Sequence, residues 1–199
     1  MKKPLQIVLD TSIFVNPDSR YLFGKTPKEA LNNFLDSIAG KKSIFCYIPP
    51  SVYEELMKFL EKAPNHNKMI LINKKPPSSY ESSIPAMMVY EFIEEMRLRI
   101  NKGLRIAEKY SRKLINQPII SKNNREKEEA VIKSLRHEYR TALREGVIDS
   151  KEDFDLILLA KELDAKLATI DHGLVKWAQK LGINCISAEE LKEIVGGNI

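Results

Sequence analysis

A chain of 199 residues, 43% hydrophobic and 30% charged, has room for one sizeable core and an appendage, and its mean hydropathy of -0.30 is that of an ordinary globular protein. No stretch approaches the roughly 20 apolar residues a membrane span needs, and Met1-Lys2-Lys3-Pro4 enters a strand pattern without the apolar core of a signal peptide. A cytoplasmic protein with no membrane partner is expected. The net charge of +5 is uneven: residues 86–145 hold 14 Lys/Arg against 9 Asp/Glu, and the remainder holds 18 of each. That confinement points to a polyanionic partner for one segment. Cys46 and Cys185 fall in apolar strand patterns without metal or redox spacing and read as small core residues.

The apolar run Leu5–Leu9 predicts a buried strand, followed by a polar turn from Asp10 to Pro17. Thr26 as cap, Pro27 in the first helical turn and the spacing of Ala30, Leu31, Phe34, Leu35 and Ile38 predict a helix ended by Gly40. A strand from Ser43 to Ile48 follows, then a helix from about Val52 to Leu60 capped by Ser51, and a short third strand over Lys68–Ile72. Lys74–Ser83, rich in Pro, Ser and Lys, is a loop or hinge. From about Pro85 to Leu114, Val89, Phe92, Met96, Ile100, Leu104 and Ala107 recur every three or four residues, and a second amphipathic segment with Ala130, Val131, Leu135, Tyr139 and Ala142 runs to about Glu145. Pro118 and Ser121–Asn124 separate the two as arms of a helical hairpin, which Gly146 ends. Ser150-Lys151-Glu152-Asp153 resembles a capping box for a helix over 151–163. Strand 166–170, helix 173–181, strand 183–186 and helix 188–195 complete an alternation that implies a parallel sheet with helices on both faces. The expected division is an α/β domain made of residues 1–84 and 146–199, with an inserted helical hairpin over 85–145.

Asp10 closes the first strand and Asp171 the strand over 166–170, so two carboxylates converge on the C-terminal edge of a parallel sheet, where such folds bind ligands. Asp149 and Asp153, four residues apart at the start of the intervening helix, can share one face. Four carboxylates at the ends of buried elements repel one another, and a divalent cation is the usual means of keeping such a cluster ionised. Asp155 points about 200° from Asp153 on a regular helix, so it reaches the same site only through an irregular first turn or acts on it indirectly. Asp164, at a helix end, reads as a turn residue, and His66, His137 and His172 are given no role.

The stretch Asp153-Phe154-Asp155-Leu156-Ile157-Leu158-Leu159-Ala160 followed by Leu167-Ala168-Thr169-Ile170-Asp171 resembles the C-terminal half of PIN-domain nucleases, and Asp10-Thr11-Ser12 is similar to that family's first strand end. The resemblance implies an α/β fold, a PIN-like three-layer sandwich with a central parallel sheet, here with an inserted protruding helical hairpin. It also implies a metal-binding catalytic set of Asp10, Asp149, Asp153 and Asp171 holding one or two Mg2+ or Mn2+, with Asp155 a further candidate. Such ions can activate water and stabilise charge on a phosphodiester. Thr11, Ser12 and Thr169 are hydroxyls able to position an aspartate or a water. Many PIN domains add a glutamate after the second strand, and Glu54 and Glu55 are both placed for it, with Glu55 matching the usual Glu-Leu pair better.

The hairpin before Asp149 and the compact length resemble the minimal protein-only ribonuclease P family, whose members also carry the label RNA ligase partner protein. That resemblance implies a metal-dependent endoribonuclease that removes the 5′ leader of precursor tRNA, leaves a 5′-phosphate, requires no RNA subunit and assembles as a homo-oligomer through the hairpin. Lys133, Arg136, Arg140 and Arg144 recur at helical spacing and could track RNA phosphates, although Glu126, Glu128, Glu129 and Glu138 are interleaved. Arg105, Lys109, Arg112 and Lys113 add charge on the first arm. Two other readings stand beside it: a toxin-type PIN endoribonuclease, and a non-catalytic RNA-binding partner of an RNA ligase.

Overall fold

The computed structural model describes residues 4–60, 66–81, 83–115, 124–144, 148 and 150–197, with fifteen elements in the described residues. They run β1 (Leu5–Leu9), α1 (Ser12–Val15), α2 (Pro17–Arg20), α3 (Pro27–Ile38), β2 (Ile44–Ile48), α4 (Pro50–Phe59), α5 (His66–Met69), β3 (Ile72–Lys74), α6 (Ala86–Ile115), α7 (Asn124–Arg144), α8 (Lys151–Leu163), β4 (Lys166–Ala168), α9 (His172–Lys180), β5 (Cys185–Ile186) and α10 (Ala188–Gly196). Chain contacts group them into two compact units, one of Met1–Ser83 with Ile148–Ile199 and one of Ile84–Val147.

The first unit is an α/β fold around a five-stranded, all-parallel sheet in the order β3-β2-β1-β4-β5. The chain steps outward from β1 to β3, then returns to the far side of β1 to lay down β4 and β5. The order therefore reverses between β1 and β4, and the crevice at their C-terminal ends is the place where such sheets bind ligands. Register puts Leu9 beside Ala168, so the next residues, Asp10 and Thr169, leave the sheet side by side. α8 packs against β1 and β4 and touches α4 and α9, whereas α3 meets α1, α5 and α10, so helices flank the sheet. The run Leu156–Ala160 of α8 is wholly buried, as expected for a helix covered by strands on one side and helices on the other.

Three departures from the sequence-based expectation have local causes. Residues 10–17 are not a plain turn but hold α1 and α2: Ile13 and Phe14 are fully buried, and the Asn16 side chain caps α2 with Pro17 at its start. The segment 68–72 is not a strand. Lys68 and the buried Met69 belong to α5, where Lys68 pairs with Asp36 of α3 at 2.5 Å, and β3 begins only at Ile72. α4 begins at Pro50 with Pro49 as its cap residue, so Ser51 lies inside the helix and its hydroxyl is used elsewhere. Asp164 is the left-handed C-cap of α8 at φ 50°, the turn role expected of it. Pro118, Ser121–Asn123, Glu145, Gly146 and Asp149 lie outside the described residues.

In the second unit α6 and α7 pack as two arms. Gly103, Ile106 and Tyr110 form the buried stripe of α6. A Cβ on Gly103 would stand 2.7 Å from the Tyr139 ring, so a glycine is what lets α7 come this close. The Tyr110 hydroxyl donates to Glu138 at 2.9 Å, and Lys109 pairs with the same carboxylate at 2.7 Å.

The loop after β1 is anchored by an aromatic cluster in which Phe14, Phe23 and Phe34 have centroids 5.2 to 6.3 Å apart. Phe34 is fully buried, and truncating such a ring costs about 3–5 kcal/mol. Phe34→Ala is expected to lower unfolding free energy by that amount in a urea titration; a loss below about 1 kcal/mol would show that the cluster does not anchor the loop.

Candidate active site

Asp10 is 7% exposed and is the one acidic residue among the buried polar groups of the described residues. Its Oδ2 accepts two hydroxyl protons, from Ser12 Oγ at 2.5 Å and from Thr169 Oγ1 at 2.6 Å. Each hydroxyl also accepts a backbone N–H from the segment after β4: Ser12 Oγ from Ile170 at 3.2 Å, and Thr169 Oγ1 from Asp171, two residues on, at 3.0 Å. The ends of β1 and β4 are thereby laced together through side chains where the backbone ladder stops. Thr11 Oγ1 lies 3.4 Å from Asp10 Oδ1 and 3.4 Å from Glu55 Oε2, so it stands between the two carboxylates.

Glu55 is half-buried on α4, and Glu54 is exposed, so the structure turns Glu55 toward Asp10. Asp171 does not close a strand reaching residue 170: β4 ends at Ala168, and Asp171 is exposed as the N-cap of α9, accepting from Leu174 N at 2.9 Å. Asp153 is half-buried in the first turn of α8, its N–H bound by the Ser150 cap at 3.0 Å. Asp155, also half-buried, accepts from Ser51 Oγ of α4 at 2.6 Å. Asp149 lies outside the described residues. Sequence reasoning gave no role to Glu152, whose charge bears on Glu55; its place in a first helical turn reads equally well as dipole stabilisation.

The electrostatics follow from burial and crowding. Desolvation pushes the Asp10 carboxyl up, with the Asp171 charge adding to it, against the opposing hydrogen bonds from Ser12 and Thr169. Desolvation also raises Glu55, and the charges of Asp10 and Glu152 push the same way against the Thr11 hydroxyl and Lys58. Among the described residues no three His, Cys, Asp or Glu side chains converge as a ready-made cage. The donor chemistry nonetheless suits a hard divalent cation: every candidate ligand is a carboxylate oxygen, and a cation would offset the desolvation and the like charges that raise Asp10 and Glu55.

A second feature lies in the hairpin unit, a groove of about 850 Å³ between α6 and α7. Its cationic lining is Lys102, Arg105, Lys109 and Lys133, with Tyr110 and His137 among the neighbours. Arg136 and Arg140 are exposed on α7 but do not line the groove, and Arg144 closes the helix, its side chain outside the described set. Arg112 and Lys113 are exposed near the end of α6, Lys113 over the Tyr110 ring at 4.8 Å.

A raised folded-state pKa means that the native protein holds its proton where the unfolded chain has lost it. In the absence of metal, stability is therefore present at low pH and is lost as pH climbs through the raised value. Asp10→Asn removes that penalty while keeping an oxygen acceptor for both hydroxyls. By calorimetry the metal-free variant is expected to gain on wild type as pH rises from about 4 to 7, by roughly 2–4 °C for each kcal/mol released. Mn2+ should then raise the wild-type melting temperature and leave the variant's unchanged. An equal Mn2+ response in both would remove Asp10 from the site.

Residues 6–198 match the model of a family described as PINc domain ribonuclease. The chain is 46% identical over 194 residues to the RNA-free ribonuclease P of Pyrococcus furiosus, covering 96% of this chain and 92% of that protein. It is 47% identical over 195 residues to the protein of that name from Thermodesulfovibrio yellowstonii, covering 98% and 95%, and 38% identical over 192 residues to that of Nitrosococcus oceani, covering 96% and 93%. With an acidic edge at the switch point of a parallel sheet and a family match spanning nearly its whole length, the chain belongs to the PINc-domain ribonucleases.

Proposed function

We propose that this protein is an RNA-free ribonuclease P, an endoribonuclease that hydrolyses the phosphodiester at the 5′ leader of precursor tRNA and leaves a 5′-phosphate on the mature tRNA. The observation that carries this reading is that the similarity to proteins of that name runs through both units, hairpin included, and does not stop at the nuclease core.

Asp10, Asp149, Asp153 and Asp171, with Glu55, would hold one or two Mg2+ or Mn2+ ions. When bound, these supply an activated water and offset charge on the phosphate and the leaving oxygen. The chain's own groups have separate tasks. Ser12 and Thr169 fix Asp10 by occupying its Oδ2, which leaves Oδ1 toward Thr11 and Glu55. Thr169 also holds the backbone N–H of Asp171, so the same hydroxyl sets both aspartates. An acidic edge repels RNA, and the attraction comes from the hairpin, where Lys133, Arg136, Arg140 and Arg144 join the first-arm cations in holding phosphates. The apolar residues Met87, Val89, Tyr90, Ile93 and Leu98 of α6 are exposed in the single chain, and so extensive an exposed apolar face supports a homo-oligomer through the hairpin. No helix of the described residues is long and apolar enough to cross a membrane.

The test is incubation of the purified protein with precursor tRNA and with an unstructured RNA, in Mg2+ and in EDTA. One metal-dependent cut that releases an intact leader is expected; scattered cutting of both RNAs would favour a toxin-type enzyme, and no cutting a binding partner of an RNA ligase. Asp153→Asn is expected to lower cleavage at least a hundredfold with RNA binding kept. Arg136→Ala with Arg140→Ala should weaken binding and flatten its salt dependence by about two charges. Normal cleavage by Asp153→Asn would remove that residue from the site.

A further inference from the structure

Asp155 is engaged away from Asp10. Its Oδ2 accepts from Ser51 Oγ at 2.6 Å, a part-buried bond that joins α8 to α4 across 104 positions of sequence. Ser51 stands one turn before Glu55 on α4, so the two side chains share a face. On α8, Asp155 stands one turn after Glu152, and about 200° around the helix from Asp153. The two helices pack on each other with these pairs in opposed order, Ser51 against Asp155 and Glu55 near enough to Glu152 to feel its charge. Sliding or rotating α4 on α8 would break the Ser51 bond and would also shift Glu55 away from Thr11 and Asp10.

We infer that Asp155 is a positioning residue and not a metal ligand: through the Ser51 hydroxyl it fixes α4 so that Glu55 is presented to the Asp10 edge. The inference rests on the cation-dependent nuclease reading, because it concerns how a carboxylate is delivered to that site. It makes the hydrogen-bond acceptor at position 155 matter and its charge incidental. A ligand role would require the opposite.

The experiment is a Mn2+ titration of the full chain followed by electron paramagnetic resonance, with metal-dependent cleavage kinetics alongside. Ser51→Ala and Asp155→Ala are each expected to raise the half-saturating Mn2+ concentration about tenfold, the scale of one hydrogen bond to a charged group. Their kcat at saturating Mn2+ should stay within about threefold of wild type. Asp155→Asn keeps an acceptor and Ser51→Thr keeps a donor, so both should bind Mn2+ within about twofold of wild type. The double alanine variant should be no weaker than either single one, since both changes remove the same bond. Asp155→Asn binding as weakly as Asp155→Ala, with Ser51→Ala normal, would make Asp155 a ligand and overturn the inference; normal binding by both alanine variants would overturn it too. Where an alanine variant fails to fold, Asp155→Asn decides alone. Failure of the nuclease reading is separately visible, as a wild-type protein that neither binds Mn2+ nor cuts RNA.

Discussion

Two hydroxyl protons on one carboxylate oxygen organise this site. Ser12 follows β1 and Thr169 follows β4, and both donate to Asp10 Oδ2 while taking backbone N–H groups from residues 170 and 171. The bonds close the gap between two strands that are neighbours in space and 159 residues apart in sequence. They also decide what Asp10 can do. With one oxygen engaged by two hydroxyls and the group out of water, burial drives its proton affinity up. A buried carboxylate held in that condition is a group prepared for a cation, because the same low-dielectric surroundings that penalise its charge strengthen its attraction to a metal.

The fold places further carboxylates at helix N-termini. In a parallel sheet every strand ends on the same edge, and the helices that follow begin there. Asp171 caps α9 and Asp153 sits in the first turn of α8, so both carboxylates lie at helix N-termini, where the partial positive charge of unpaired N–H groups favours them. Those termini lower the cost of gathering like charges but do not remove it: Glu55 is pushed up first by burial and further by the charges of Asp10 and Glu152. The hairpin answers the complementary problem. Under the proposed function, its net positive charge and the cationic groove between its arms would hold a polyanion that the acidic edge by itself repels.

Much of this was legible in the sequence because strand ends and helix starts carry strong local signals. The apolar runs before Asp10 and before Thr169 located the sheet edge, and the confinement of positive charge to residues 86–145 located the basic segment. What escaped depended on partners distant in sequence. The short helices after Asp10 are held by Phe14 packing on Phe23 and Phe34, which no local period reveals. Lys68 looked like strand because its contact with Asp36 was invisible, and Ser51 looked like a cap because its bond to Asp155 crosses 104 positions. Glu54 and Glu55 are adjacent candidates in the sequence, with only the Glu-Leu pair favouring Glu55; the half-burial of Glu55 and its contact with Thr11 separate them. The apolar run carried the expected strand to residue 170, whereas β4 ends at Ala168 and leaves Asp171 as an exposed cap.

If the Asp10 edge acts through a cation-activated water, the attacking oxygen comes from solvent and the cut leaves a phosphate on the downstream RNA. Attack by the neighbouring ribose 2′-hydroxyl would leave it with a free 5′-hydroxyl. The most direct measurement is therefore mass spectrometry of both fragments from precursor tRNA cut in water enriched in ¹⁸O. A 5′-phosphate carrying one ¹⁸O on the mature tRNA, with a 3′-hydroxyl on the leader, is the result predicted. A 5′-hydroxyl on the tRNA and a 2′,3′-cyclic phosphate on the leader would contradict the account, because such a cut needs no water held at the Asp10 edge.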